Sequence, residues 1–461
     1  MRFSACIGAG VLLTSFAAMG ETYQVGPTRS FTTLGDALSS LDLEPGDVVE
    51  IDGDTIYPDV RVRSGDGGSA QNPVILRGIS INGNPPHFRG GDNTINNDAS
   101  HIVYENIEIS GTGNVSNGTF RCFFHKGTGV VLRGVHVHDC PNHGIQSADS
   151  GSGSLTVEYS RVINVGSGST RHALYIATDE VNFPGSVFRL QYSYVRDTQF
   201  DNSDLGGNMI KSRAERNEIY YNWLEGAYFH TIELIGPDPA GAPSGYSEGL
   251  VREDSDVVGN IIVHTEPDFD KIIRLGGDGT GQTYGRFRFV NNTVINRNGD
   301  FSTVFRLFDG IESLEANNNV FWNQNGGSGL RIIRENEADW ESGSTTIVGT
   351  NNWIEDGSSF IPQGFSDSVF GANPGFVNAA GRDYTPSQSS ALIDRGGPPS
   401  TGEPGFQIST PLVEPVRHPP QEDDITVGVP ATRPDDEVID IGALEVIDLS
   451  IIFQDGFEII L

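Results

Sequence analysis

Cysteine, methionine and basic side chains are the scarce residues of this 461-residue chain. It holds three Cys, three Met and 29 Lys plus Arg against 61 Asp plus Glu, for a formal net charge of −32. An acidic balance of this size argues against nucleic acid as a partner, because phosphate binding needs a basic face. No apolar run reaches the roughly 20 residues that cross a bilayer, so no membrane span is expected. A Walker loop, zinc-ligand spacing and a G-x-S-x-G nucleophile turn are all absent. The leucine framework of a leucine-rich horseshoe is missing, and so is the hairpin chemistry of a propeller. What is abundant is glycine, 58 residues, together with Asn, Asp, Ser and Thr, a composition that suits turn-rich β structure.

The chain opens MRFSACIGAGVLLTSFAAMG. An early arginine, an apolar run of about a dozen residues and small residues before Glu21 make the pattern of a secretory signal peptide. Residues 1–20 are expected to be removed, and the mature protein to be secreted or periplasmic and monomeric. Cys6 falls within that segment, which leaves Cys122 and Cys140. In an exported chain this pair reads either as a disulfide, worth roughly 3 kcal/mol, or as two buried thiols. The remaining length of about 440 residues exceeds a usual globular domain, but a solenoid escapes that limit because each repeat needs only its neighbours.

Repeats of that kind are present. Short β-branched runs beside Asn, Ser or Gly recur as ENIEIS (105–110), RGVHVHDC (133–140), EYSRVINV (158–165), QYSYVRDT (191–198), VGNIIVHT (258–265), VNNTVINR (290–297) and ANNNVFWN (316–323). Intervals of about 26 to 38 residues suit one coil of two or three strands with inserted loops. An Asn recurs at Asn106, Asn222, Asn260, Asn292, Asn318 and Asn352. At a buried bend it would bond the coils above and below, a structural ladder rather than a catalytic one.

The framing segments carry a resemblance. FTTLGDALSSLDLEPGDVVEIDGDTIYPD (31–59) resembles the N-terminal cap of secreted β-helix proteins, and SAQNPVILRG (69–78) the first full coil of β-helix polysaccharide lyases. NPGFVNAAGRDYTPSQSSALIDRG (373–396) and DIGALE (440–445) resemble their closing coil. The sequence is thus similar to right-handed parallel β-helix proteins of the pectate lyase, alginate lyase and chondroitinase B type. The resemblance implies an all-β, single-stranded right-handed parallel β-helix over 21–396 with an N-terminal cap. Residues 397–461 are expected to supply a closing coil and an acidic C-terminal tail, irregular where Pro and Asp/Glu accumulate. The fold alone does not set the chemistry, since β-helices host lyases, hydrolases, epimerases and non-enzymes.

A second strand also recurs once per coil: GIQSA (144–148), HALYIA (172–177), NMIKSR (208–213), HTIELI (230–235), KIIRLG (271–276) and TVFRLF (303–308). Side chains alternate in and out, so the aliphatic neighbours place Gln146, Tyr175, Lys211, Glu233, Arg274 and Arg306 in one outward column. Arg213 should point the same way as Lys211, and Arg331 and Arg334 extend the strip. The segments 172–177 and 208–214 resemble a His-x-x-Tyr strand followed by a Lys-Ser-Arg strand in polysaccharide-lyase-type β-helices.

Elimination at a 4-O-linked uronic acid needs a base, a cation for the carboxylate and an acid for the leaving oxygen. Lys211 and Arg213 are the expected catalytic pair. His172, Tyr175, His230, Glu233, Arg274 and Arg306 are the expected substrate contacts, the arginines gripping carboxylates. An alternative makes Tyr175 the acid and His172 the base. The plain reading of Lys211 and Glu233 is a surface salt bridge, and of His172 an exposed, inert side chain. In the loop QFDNSDLGG (199–207), Asp201 and Asp204 with Asp197 either hold Ca2+ or form a solvated turn. HVHDCPNH (136–143) reads as solvated edge residues rather than a metal site. The expected activity is therefore lysis of an acidic, uronate-containing polysaccharide. A glycoside hydrolase using Glu233 with Asp201 or Asp204 and a non-catalytic carbohydrate-binding or adhesin solenoid stand as alternatives.

Overall fold

The computed structural model describes residues 20–200, 206–247, 253–277, 283–308, 310–326, 329–335, 346–398, 405–434 and 438–447. The expected signal peptide, Asp201, Asp204 and the end of the tail lie outside the described residues.

One coil gives the plan of the rest. Arg216–Tyr220 belongs to a first sheet, Trp223–Glu225 to a second and Ile232–Leu234 to a third. Each pairs in parallel with its counterpart one coil before and one coil after. Among the described residues the three sheets hold 13, 12 and 10 strands. Parallel strands joined by crossovers take the right-handed sense, and the architecture is a right-handed parallel β-helix with three strands per coil. Among the described residues the one α-helix, Leu34–Ser40, is the N-terminal cap. Thr33 Oγ1 accepts from Asp36 N at 3.1 Å, and Leu34, Ala37 and Leu38 are buried.

The interior is built by stacking like on like. On the first sheet, register aligns Leu76, Tyr104, Leu132, Val157, Leu190, Ile219, Val257 and Phe289. On the third it aligns Ile95, Phe123, Ile145, Leu174, Ile210, Ile232, Ile273 and Phe305. All of these are buried. Cys122 and Cys140, both 0 % exposed, are joined in a disulfide with their Cα atoms 6.0 Å apart.

From Ile102–Glu105 onward only two residues link each first-sheet strand to the second sheet, and they divide the labour. The leading residue has positive φ: Asn106, Gly134, Tyr159, Tyr192, Tyr221, Gly259, Asn291, Asn318 and Asn351 occupy it in turn. The residue after it carries the ladder. The backbone N–H groups of Ser193, Asn222, Asn260, Asn292 and Asn319 each donate to the side-chain oxygen of the next rung, from Asn222 to Asn352. The Nδ2 groups of Asn222, Asn260, Asn292, Asn319 and Asn352 donate to carbonyls of Leu190, Ile219, Val257, Phe289 and Ala316. The expected ladder thus runs through Asn319 rather than Asn318, and Asn106 is not part of it. Both displaced residues sit in the left-handed position, which Asn tolerates because its short side chain bonds locally.

The outer faces differ. The first sheet carries matched ion pairs, Arg77–Glu105–Arg133–Glu158 and Arg216–Asp256–Arg288. The second is covered toward its C-terminal end: Trp223, Ile261, Trp322 and Trp353 pack with Tyr384, Leu392, Ile441 and Ala443. Residues 410–422 run back along the coils, where Thr410 O accepts from Arg288 and Glu422 O from Arg161, both at 2.9 Å. Ile441 and Ala443 of DIGALE lie on the outside of the helix in this layer, held by Gly442 N donating to Asn318 O at 2.8 Å. On the third sheet's outer face stands Arg306, which has no ion-pair partner among the described residues.

Candidate functional site

Register pairs Gln146 with Tyr175, Tyr175 with Lys211, Lys211 with Glu233, Glu233 with Arg274 and Arg274 with Arg306. Arg334 adds one rung more, and at about 4.8 Å per rung the column runs roughly 30 Å. Arg331 stands off it, paired with Thr303 and stacked on Phe360 at 3.9 Å.

One carboxylate, that of Glu233, serves two cations here. Glu233 is 2 % exposed. Its Oε1 lies 3.1 Å from Arg274 Nη1, its Oε2 lies 3.8 Å from Lys211 Nζ and also accepts from Asn208 Nδ2. The lysine–glutamate pair is therefore half sunk in the face rather than the surface salt bridge of the plain reading. Arg274 stacks on Phe308 at 4.1 Å and donates from Nη2 to Gly277 O at 2.7 Å. Arg306 stacks on the same ring at 4.8 Å and has no ion-pair partner among the described residues. The Nε atoms of both arginines are buried without a hydrogen-bond partner among the described residues. Burial and then Arg274 lower the Arg306 pKa. A planar anion satisfies such a pair, because guanidinium forks match carboxylate geometry.

Arg213 does not stand in the open beside Lys211. It is 2 % exposed, with Nη1 donating to Gly236 O at 2.7 Å and Nε to the Tyr175 hydroxyl at 3.3 Å. A cation donating to a phenol oxygen stabilises the anion left when the phenol gives up its proton. Lys211 Nζ lies 5.8 Å from the centre of the Tyr175 ring.

The histidines are also placed differently from the exposed side chain of the plain reading. His172 and His230 are 2 % and 5 % exposed and belong to a hydrogen-bonded run at the start of the third-sheet strands. His172 N donates to His143 Nδ1 at 3.3 Å, Asn208 N to His172 Nδ1 at 3.1 Å, and His230 N to Asn208 Oδ1 at 3.0 Å. A ring nitrogen that accepts from backbone N–H is unprotonated, so neutral His143 and His172 carry their proton on Nε2. Burial first, and nearby cations second, push both pKa values down, His143 to about 3 and His172 well below its usual range. His230 packs edge-on against Phe269, and its Nε2 is buried without a partner among the described residues.

His143 and Phe308 were not singled out from the sequence. His143 lies in HVHDCPNH, where its alignment with His172 emerges only from register. Phe308 ends the TVFRLF strand, where an aromatic reads first as core. In the same HVHDCPNH segment, His138 is not a solvated edge residue: its two ring nitrogens lie 2.9 Å from Glu108 and 2.8 Å from Asp139.

No family model and no curated protein matches the sequence. Solved structures do. Pectate lyase Pel9A aligns with a TM-score of 0.49 at 12% identity over 93% of this chain and 97% of its own. An alginate lyase from Paenibacillus sp. str. FPU-7 gives 0.42 at 13% over 77% and 98%. The GH136 lacto-N-biosidase from Eubacterium ramulus gives 0.38 at 14% over 69% and 67%.

Proposed function

We propose that the protein is a secreted or periplasmic polysaccharide lyase that cleaves a uronate-containing glycan by β-elimination. The observation that carries this reading is the pair of half-buried guanidinium groups of Arg274 and Arg306, each with a buried Nε that has no hydrogen-bond partner among the described residues, set on the rungs after an amine and a phenol. Arg274 and Arg306 hold the substrate carboxylate and disperse charge as it builds on the α-carbon. Lys211 Nζ, as the neutral amine after its own proton has passed to solvent, takes the C5 proton; the C5–H electrons form the C4=C5 double bond, and the C4–O bond breaks toward the leaving oxygen. The Tyr175 hydroxyl protonates that oxygen, and Arg213, donating to it at 3.3 Å, steadies the phenolate formed. His172 is the weaker base, because its Nδ1 is occupied by Asn208 N and its Nε2 bears the proton. A hydrolase reading would need Glu233 uncommitted, whereas its oxygens are taken by Lys211, Arg274 and Asn208.

Calcium has no oxygen-rich donor set among the described residues of this face, since Glu233 is so engaged and Asp197 pairs with Arg196 at 2.9 Å. No step is routed through it. A disulfide suits an exported protein.

The test is a panel of alginate, pectate and glycosaminoglycans, assayed with and without chelator. Turnover should give unsaturated ends absorbing near about 235 nm, and Lys211→Ala should lower it by about a hundredfold or more. New reducing ends without that absorbance would instead indicate hydrolysis. Binding with neither product would leave a carbohydrate-binding solenoid.

A further inference from the structure

Three side chains from three successive coils converge on the outer face of the second sheet, near its N-terminal end. His87 comes from His87–Arg89, Glu108 from Glu108–Ser110 and His138 from His136–Cys140. Register sets His87 beside Glu108 and His138 beside Ser110. His138 Nε2 lies 2.9 Å and His87 Nδ1 3.4 Å from the same oxygen, Glu108 Oε1. One nitrogen or oxygen from each of the three residues falls within 4.8 Å of the others.

The remaining ring nitrogens are already anchored. His138 Nδ1 lies 2.8 Å from Asp139 Oδ2, and His87 Nε2 lies 2.7 Å from Ser110 Oγ. Asp139 is itself held by Asn164 Nδ2. A carboxylate only accepts, so either both His138 ring nitrogens carry protons and donate to Asp139 and Glu108, or Nδ1 alone carries one and a metal ion sits between Nε2 and Glu108 Oε1.

We propose that His87, Glu108 and His138 bind a divalent transition-metal ion of the Zn2+ type, which ties three consecutive coils together. Bonds of about 2.0–2.1 Å in a tetrahedral centre put ligand atoms about 3.3–3.4 Å apart; the His87 separation of 3.4 Å has that spacing, and the His138 separation of 2.9 Å reaches it by opening about 0.4 Å. Two imidazole nitrogens and one carboxylate oxygen suit Zn2+, Ni2+ or Cu2+; Ca2+ and Mg2+ prefer oxygen-only shells. A carboxylate on the far nitrogen is the usual means of orienting a metal-bound imidazole. Side-chain exposures of 17 %, 26 % and 18 % leave the site reachable from solvent, with a fourth position for water. A chain of net charge −32 also concentrates cations around itself. The site adjoins Cys140, so the ion and the Cys122–Cys140 disulfide would cross-link the same early coils. It stands on a different sheet from Lys211 and Arg274, so its fate is independent of the lyase reading.

The test uses the full mature protein, stripped with chelator, desalted and titrated with Zn2+ in a calorimeter and with Co2+ in a visible spectrometer. One equivalent of each should bind, and Co2+ should show the visible bands of a four-coordinate site. Glu108→Gln and His87→Gln should each weaken Zn2+ binding about tenfold or more and abolish those bands, while Lys211→Ala binds as the unaltered protein does. Zn2+ should raise the Tm of the unaltered protein but not of His87→Gln. Should Glu108→Gln fail to fold, His87→Gln decides alone. No saturable binding by the unaltered protein, or undiminished binding by His87→Gln, overturns the proposal and leaves a proton as the bridging cation.

Discussion

Arg306 is the residue on which the site's chemistry can be read most directly. It shares the Phe308 ring with Arg274 and has no carboxylate of its own among the described residues. If it binds substrate carboxylate, Arg306→Ala should raise KM about tenfold or more with a smaller change in kcat, and Arg306→Lys should not restore it, because an ammonium lacks the planar fork. Steady-state kinetics on the responsive polyuronate checks this. A second residue-scale prediction concerns Glu180, buried at 3 % exposure with neither carboxylate oxygen partnered among the described residues. Burial, reinforced by Glu253, pushes its pKa from 4.5 up to about 9. A carboxyl raised in the folded state contributes stability that is full below its unfolded pKa and is lost as pH rises through the folded one. Glu180→Gln should therefore match the unaltered protein at about pH 5 and exceed it in Tm at about pH 9.

At the scale of elements, the two-residue turn between the first and second sheets separates two roles that neighbouring Asn residues confuse in the sequence. Asn292 Oδ1 accepts from Asn260 N, and Asn292 Nδ2 donates to Val257 O. Asn292→Ala leaves buried donors and acceptors unmet and should cost about 2–4 kcal/mol in urea unfolding. Asn106 occupies the left-handed position at φ 56, where Gly134 stands one coil later, so Asn106→Gly should change stability by about 1 kcal/mol or less. The repeats were legible because β-branched runs and Asn recur coil by coil. Whether Asn318 or Asn319 fills the ladder was not, since three consecutive Asn residues look alike until the backbone turns left-handed at the first ladder-flanking position.

For the molecule as a whole, the histidines set the response to acid. Burial holds His125, His264 and His418 down to about 4 and His143 to about 3, against an ordinary 6.5. A base depressed in the folded state stabilises above its unfolded pKa and ceases to do so as pH falls toward the folded one. Tm should drop by about 5 °C or more between about pH 7 and pH 5, measured by calorimetry at constant ionic strength. Glu180 and Glu253, whose pKa values rise to about 9 and about 7, act in the opposite direction, so stability should peak between these limbs. Ion pairs lie over the first sheet and the C-terminal layer over part of the second, and the third sheet carries the column that ends in Arg274, Arg306 and Arg334.

The amino-acid sequence by itself determined the coil, its interval of about 26 to 38 residues and the outward column from Gln146 to Arg306. Alternation along a strand is a local rule, and the aliphatic residues on either side of Lys211 or Arg274 fix which way each points. The tertiary structure decided depth and partnership. It sank Glu233, Arg213, His172 and His230 into the face, turned Arg213 onto Tyr175, and brought His87 to Glu108 and His138 from coils 21 to 51 residues apart in the chain. Those relations depend on which loops rise beside a strand and which rung meets which, and a sequence holds no distance between residues that only stacking makes neighbours.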